Sequence, residues 1–303
     1  MSLQALLGID WLCKIIENYA SEFKGHLCTV MPSIMDGKLP HPFFNRGSIA
    51  EFDGKIAFTA KFNKLEVIDP RTATKVANTF AVNYRMVFVS QHVLATFFMG
   101  KVSLLDMQSE ECLWSKKVAT AHDVFDLKLL PDNQLAAFDG LGFVVWEIKS
   151  GDQLRKLRVP RLHDIVGVSR DSVVAAVDDF LRVYDKHKLV ITQPARGAMQ
   201  LLALQDSRFA SSGKDHTVAI WDTGLDHLTC LYIIEDAKCG CMEQLSDGSL
   251  AVTCADGHHI RVYHGNQLVH NIPYFGWPIY ALKALADNRL ASFHMYGDVC
   301  IWH

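Results

Sequence analysis

Long apolar runs are missing from this chain. No stretch approaches the ~18 uninterrupted apolar residues of a membrane-crossing helix, so no helical membrane insertion is expected. The first residues lack a basic run followed by a continuous apolar one, so no secretory leader is expected either. An excess of either charge is also missing: 30 Lys and Arg stand against 33 Asp and Glu, for a net charge of -3. That balance leaves no overall footprint for nucleic acid or an anionic membrane. Cysteine is sparse, with eight in 303 residues, too few for a small disulfide scaffold. These thiols read as small buried hydrophobes in a reducing compartment, which points to the cytoplasm.

The usual signatures of catalysis are absent as well. There is no GxxxxGK[ST] phosphate loop, no GxGxxG between a strand and a helix, no GxSxG elbow and no HExxH pair. The strongest metal candidate is Cys239-Gly240-Cys241 with Cys254, His258 and His259. Its CxC spacing is shorter than a zinc knuckle and no second knuckle follows, so it reads as strand residues rather than ligands. No metal, no cofactor and no catalytic residue is expected, and the chain reads as a non-enzyme.

What the sequence does contain is a repeat, which decides architecture before any local reading does. An apolar residue followed by an acid or its stand-in recurs at Ile68-Asp69, Leu105-Asp106, Trp146-Glu147, Tyr184-Asp185, Trp221-Asp222, Tyr263-His264 and Trp302-His303. Successive pairs are 37 to 42 residues apart. A second landmark runs in phase: a polar turn, often Asp-Gly, Asp-Asn or Asp-Ser, then a short apolar stretch holding Ala57, Ala95, Ala136, Ala175, Ala210, Ala251 or Ala291. Such turn pairs tolerate a positive φ or bond their own backbone, as tight hairpins require. Between landmarks the apolar residues come in short alternating runs. Four strands per repeat follow: a before the Asp turn (126–130), b with the Ala, c ending on the pair (218–221) and d more variable (154–157). Four strands repeated at about 40 residues predict an all-β propeller.

Residues 209–222, Phe-Ala-Ser-Ser-Gly-Lys-Asp-His-Thr-Val-Ala-Ile-Trp-Asp, resemble a complete WD-repeat core, and weaker copies extend the resemblance over about residues 40–303. The resemblance implies a seven-bladed propeller of four-stranded antiparallel blades. It also implies a His early in each blade, bonded to the Asp of that blade's b–c turn. His122 and His163 are the matches, while the fifth blade has Ala195-Arg196-Gly197 instead.

The last repeat stops at strand c. Residues 26–31 look like strand d elsewhere and are expected to complete the seventh blade, the N-to-C clasp of the family. Residues 1–24 are set apart from the propeller at 25–303. There Leu3, Leu6, Leu7, Trp11, Leu12, Ile15, Ile16, Tyr19 and Phe23 fall at helical spacing, so an N-terminal amphipathic helix is expected. It packs on the propeller's own side or bottom, or docks a partner.

A rigid scaffold concentrates function in its loops. On a propeller the d–a and b–c loops share one rim, called the top. The candidate partner-binding residues there are Phe43, Phe44, Arg46, Tyr84, Arg85, His122, Asp123, Arg161, His163, Arg196, Lys238, Phe275 and Trp277 from d–a loops, with Lys214 and Tyr296 from b–c turns. Aromatics interleaved with Arg are characteristic interface anchors, and Arg grips carboxylate or phosphate in a bidentate fork. The expected function is a protein–protein interaction scaffold or adaptor that binds acidic or phosphorylated peptide segments on the top rim. It is expected to be a monomer unless the N-terminal helix dimerises. The competing readings are a hydrolase or lyase using the central channel, and a bacterial effector engaging host proteins in the host cytosol.

Overall fold

The computed structural model describes residues 28–31, 49–52, 55–60, 64–69, 74–81, 85–90, 92–98, 100–109, 111–118, 124, 126–224, 227–254, 257–273, 278–285, 289–294 and 299–302. Every regular element among them is a strand. The first, β1, is Cys28–Met31. Then come β2 (Ile49–Phe52), β3 (Lys55–Ala60), β4 (Lys64–Asp69) and β5 (Thr74–Ala81), followed by β6 (Arg85–Phe88), β7 (Val93–Phe98), β8 (Lys101–Asp106) and β9 (Glu111–Lys117). Next are β10 (Asp126–Leu130), β11 (Gln134–Asp139), β12 (Gly142–Glu147) and β13 (Gln153–Arg158), then β14 (Leu162–Gly167), β15 (Ser172–Val177), β16 (Phe180–Asp185) and β17 (Lys188–Pro194). The chain continues with β18 (Ala198–Ala203), β19 (Arg208–Gly213), β20 (Val218–Thr223) and β21 (Leu228–Ile234), then β22 (Ala237–Gln244), β23 (Leu250–Cys254), β24 (His259–His264) and β25 (Gln267–Pro273). It closes with β26 (Ile279–Ala284), β27 (Leu290–His294) and β28 (Val299–Trp302).

Six blades are each four consecutive antiparallel strands, from β2–β5 through β22–β25. The remaining sheet is composite: β26, β27 and β28 from the end of the chain, with β1 from its beginning paired antiparallel to β28. The expected fold is corrected accordingly. Instead of a seven-bladed propeller with an N-terminal helix, six blades are self-contained four-strand units, and no helix occurs among the described residues. The physical reason is that the outer edge of β28 is paired by β1, a strand from the other end of the sequence, rather than by a strand that follows it in the repeat. Residues 1–24, where the helix is expected, lie outside the described residues.

The first strand of each sheet is innermost, and these a strands adjoin one another around the ring. Strand b is covered on both faces by neighbouring blades, which is why it reads as a continuous apolar run rather than an alternating one. The recurring Ala sits in that squeeze: Ala95, Ala136, Ala175, Ala210, Ala251 and Ala291 are fully buried. The hydrophobic clusters lie between blades. One joins β7 and β8 to β10–β12, the next β11 and β12 to β14–β16, and others follow around to β27 and β28. The aromatic residues of the repeating pair, Trp146, Tyr184, Trp221, Tyr263 and Trp302, are all buried in them.

The turns follow local chemistry. Asp132-Asn133 and Asp206-Ser207 each place two successive residues near φ +60°, the hairpin conformation that matches strand twist. Strand d carries a bulge at the same level in all six self-contained blades, as at Val183/Tyr184 and Val262/Tyr263, whereas β1 pairs with β28 in unbroken register. Of the cysteines, Cys241, Cys254 and Cys300 are buried, whereas Cys112 and Cys230 are exposed on the outer strands β9 and β21.

Candidate functional site

The rim that carries the d–a junctions and b–c turns is held together by backbone hydrogen bonds. Val118 N donates to Gly100 O, Arg161 N to Gly140 O, Ala195 N to Asp179 O, Ala237 N to His216 O and Ile279 N to Gly257 O. Each of these five junctions is thus tied to the b–c turn of the blade it leaves. This puts loops separated by about a strand pair in sequence side by side, on backbone that the sheets hold still.

Around the fifth blade the tie is doubled. Lys214 N donates to Gly197 O at 3.2 Å, and Gly197 N donates to Asp179 Oδ1 at 2.9 Å. Gly197 has φ +61°, and a Cβ there would lie 3.2 Å from Lys214 Cβ, so glycine lets the junction and turn close up. The result is two exposed cations, Arg196 and Lys214, on adjoining backbone. Lys238 follows on β22, just after Ala237, which is bonded to the same turn.

Other candidates fare differently. Arg161 is exposed, has φ +63° and pairs with Asp178 at 3.3 Å. His163 is half-buried on β14. It makes no hydrogen bond among the described residues, and Asp178 of its b–c turn is taken by Arg161 instead. The His-to-turn-Asp link implied by the resemblance is therefore not made in this blade. In the third blade Asp139 accepts from Leu141 N and Gly142 N; its would-be partner His122 lies outside the described residues. Arg85 is not on the rim surface. It is buried on β6, facing the charge of Asp126 on β10. Phe43, Phe44, Arg46, Tyr84, Asp123, Phe275, Trp277 and Tyr296 lie outside the described residues.

The rim's charge is mixed. Asp179, Asp215, Glu235 and Asp236 are exposed on it, so its cations form a local patch rather than a uniformly basic face. Among the described residues no three His, Cys, Asp or Glu side chains are grouped to hold a metal.

A second set of charges sits on the innermost strands, and sequence reasoning missed it. Lys128 of β10 bonds Asp164 of β14 at 2.7 Å and Leu201 O of β18 at 2.8 Å. Asp164 is buried and also accepts from Ile165 N and Leu201 N, both at 2.7 Å. Lys283 of β26 bonds Glu243 of β22 at 2.6 Å. Lys128, Glu243 and Lys283 hold the same repeat position, each paired across the sheet with the recurring Ala. The apolar residues Val87, Ile165 and Leu202 hold it in other blades. That break in an otherwise apolar position was the available signal. Beside this group, burial pushes the Asp126 carboxyl up to about 6, against the lowering pull of Lys128 and Arg85.

No family model matches this chain, and no curated protein does. Solved structures do. The β-propeller domain of Cps50 (Swd1) from Myceliophteria thermophila superposes with a TM-score of 0.72 over 91% of this chain and 99% of that one, at 14% identity. The chain has the WD40 β-propeller fold. The WD40 β-propeller domain of Doa1 gives a TM-score of 0.70 over 93% of this chain and 97% of that one, at 13% identity. At such identities it is the WD40 fold that is shared, and loop side chains are this chain's own. Among the described residues no helix is long and apolar enough to cross a membrane.

Proposed function

We propose that this WD40 propeller is a protein-interaction scaffold that captures an acidic or phosphorylated peptide segment on its top rim, with Arg196 and Lys214 as the paired anchor. The supporting observation is the Lys214 N to Gly197 O bond, which holds the two exposed cations together on backbone the blade does not release. A guanidinium next to an ammonium suits a carboxylate or phosphate: Arg supplies the planar fork and Lys a mobile point charge. Arg161, exposed at the preceding junction, extends the patch. The charges of the inner strands do not compete for this role, since Lys128, Asp164, Glu243 and Lys283 are spent on each other between blades.

The test is capture of partners from a native lysate by the chain and by its Arg196→Glu/Lys214→Glu variant, followed by titration with the phosphorylated and unphosphorylated forms of the peptide so identified. Loss of capture at an unchanged melting temperature supports the reading. Equal capture by both proteins refutes it.

A further inference from the structure

The outer strand of each blade is a sheet edge, with a row of backbone donors and acceptors turned away from the ladder. Natural edges of this kind are blunted, most often by Lys or by a bulge. The bulge is common to all six self-contained blades here, so it does not separate one edge from another. Charge does. β5 carries Lys75, β9 carries Lys116 and Lys117 against Glu111, β13 carries Arg155, Lys156 and Arg158, and β17 carries Lys188. Each of these four strands is net positive. β21 and β25 carry no Lys, Arg, Asp or Glu.

The two uncharged edges differ in what else they offer. β25 exposes Gln267, His270 and Asn271, and it ends on Pro273, which has no backbone N–H to give. β21 reads Leu-Thr-Cys-Leu-Tyr-Ile-Ile, rich in the branched and aromatic residues that favour extended pairing. Thr229, Cys230, Leu231 and Ile233 are exposed on it, Leu231 at 44% and Ile233 at 51%. β21 is bonded to β20 along one side, and no strand among the described residues pairs its other side.

We infer that β21 pairs antiparallel with β21 of a second copy of this chain, about a two-fold axis. Charge selects this association. Two copies of β5, β9, β13 or β17 bring like net charge together, which opposes pairing across strands. Two copies of β21 bring none, in any register, and an uncharged edge gives a charged partner nothing to match. Both copies use the same surface, so the contact closes at two. One seven-residue strand is a small contact, so the dimer is reversible. The pairing uses the outer wall and not Arg196 or Lys214, so it stands apart from capture on the rim.

Two cysteines supply the comparison that tests this. Cys230 on β21 and Cys112 on β9 are both free and exposed, and they hold the same repeat position, paired with Trp221 and Leu105. Cys230 is one residue from Leu231, the middle of β21, so a strand pair centred there holds the two Cys230 thiols within reach of a short bismaleimide. The experiment is sedimentation velocity of the full-length chain from about 1 to 300 µM, the range in which so small a contact is populated, with the crosslinked sites mapped by mass spectrometry. Two variants accompany it: Leu231→Lys/Ile233→Lys on β21, and Leu268→Lys/Val269→Lys on β25 as control. All four positions are exposed; should the β21 variant melt below the unaltered chain, Thr229→Lys on the same edge replaces it. The expected result is a monomer–dimer equilibrium in the unaltered chain and the control, Cys230-to-Cys230 crosslinks without Cys112-to-Cys112 ones, and a β21 variant that stays monomeric throughout. A chain monomeric at every concentration, species larger than a dimer, crosslinks through Cys112, or a dimer that survives in the β21 variant overturns the inference. Loss of the dimer in the control overturns it too, because the contact is then made by the uncharged wall as a whole and not by the edge of β21.

Discussion

Lys128 on β10 and Asp164 on β14 meet at 2.7 Å between two neighbouring blades, and both also bond the backbone of Leu201 in a third. Around a propeller the blades are joined chiefly by side-chain packing, because backbone ladders run within each sheet. This pair adds a directional link across three successive blades at the innermost strands. Asp164 is 4% exposed. Asp164→Ala would strand the Lys128 ammonium and the Leu201 amide, and breaking a buried pair in this way costs about 3–5 kcal/mol. Denaturant unfolding should show that loss, with Asp164→Asn losing less because its oxygen still accepts from Leu201 N. Equal stability of the alanine variant and the unaltered chain would show that the link carries nothing.

Asp126 sets a pH dependence of the opposite sense to an ordinary salt-bridged acid. Its carboxyl is raised from 3.8 to about 6 in the folded chain, with burial the leading cause. The folded state therefore holds the proton more tightly than the unfolded one. Its contribution is full below about pH 4 and is lost as pH rises through about 6. Asp126→Asn removes this step. The melting temperature of the variant relative to the unaltered chain should rise between pH 4 and pH 7, and a flat difference would show that the carboxyl is not held in this way.

Trp114 of the outer strand β9 staples the next blade. Its Nε1 donates to Ile148 O at 2.7 Å, and its ring lies where a Cβ on Gly151 would come within 3.0 Å. Gly151 also has φ +70°. Gly151→Ala meets both the left-handed backbone, at about 1–2 kcal/mol, and the ring. Trp114→Phe forfeits only the hydrogen bond, about 1 kcal/mol. Thermal melts should rank Gly151→Ala below Trp114→Phe, and in the double variant the two losses should not add, because both act on one contact.

The parts of this fold that were legible in the sequence are those dictated locally and repeated. Asp132-Asn133 and Asp206-Ser207 announce hairpins because few residues accept two positive φ values in a row. Ala136 and Ala175 recur because nothing larger fits where neighbouring blades press on strand b. The expected count of seven blades is corrected to six self-contained ones, because periodicity describes the interior of an array, whereas the composite sheet takes its outer strand from pairing between Cys28 and Trp302 at opposite ends of the chain. Partnerships between blades were not legible either. Lys128 and Asp164 are 36 residues apart, and the register of one blade against the next has no local code. The same holds for the rim. Arg85 and Arg196 look alike as junction residues, yet one begins an inner strand and is buried while the other sits in a tight junction and is exposed.

The composite sheet also sets how the ring fails. With β1 removed, β28 becomes an open edge, its backbone donors and acceptors free to recruit another chain. A chain lacking residues 1–31 should lose the four-residue ladder of Cys28–Met31 against Val299–Trp302, about 4 kcal/mol at roughly 1 kcal/mol per bond. It should also scatter light increasingly with concentration. A chain lacking only residues 1–24 keeps β1 and should stay monodisperse, with a much smaller drop in melting temperature. If the two truncations melt together and neither self-associates, β1 does not close the ring, and the edge of β28 must be protected by something other than strand pairing.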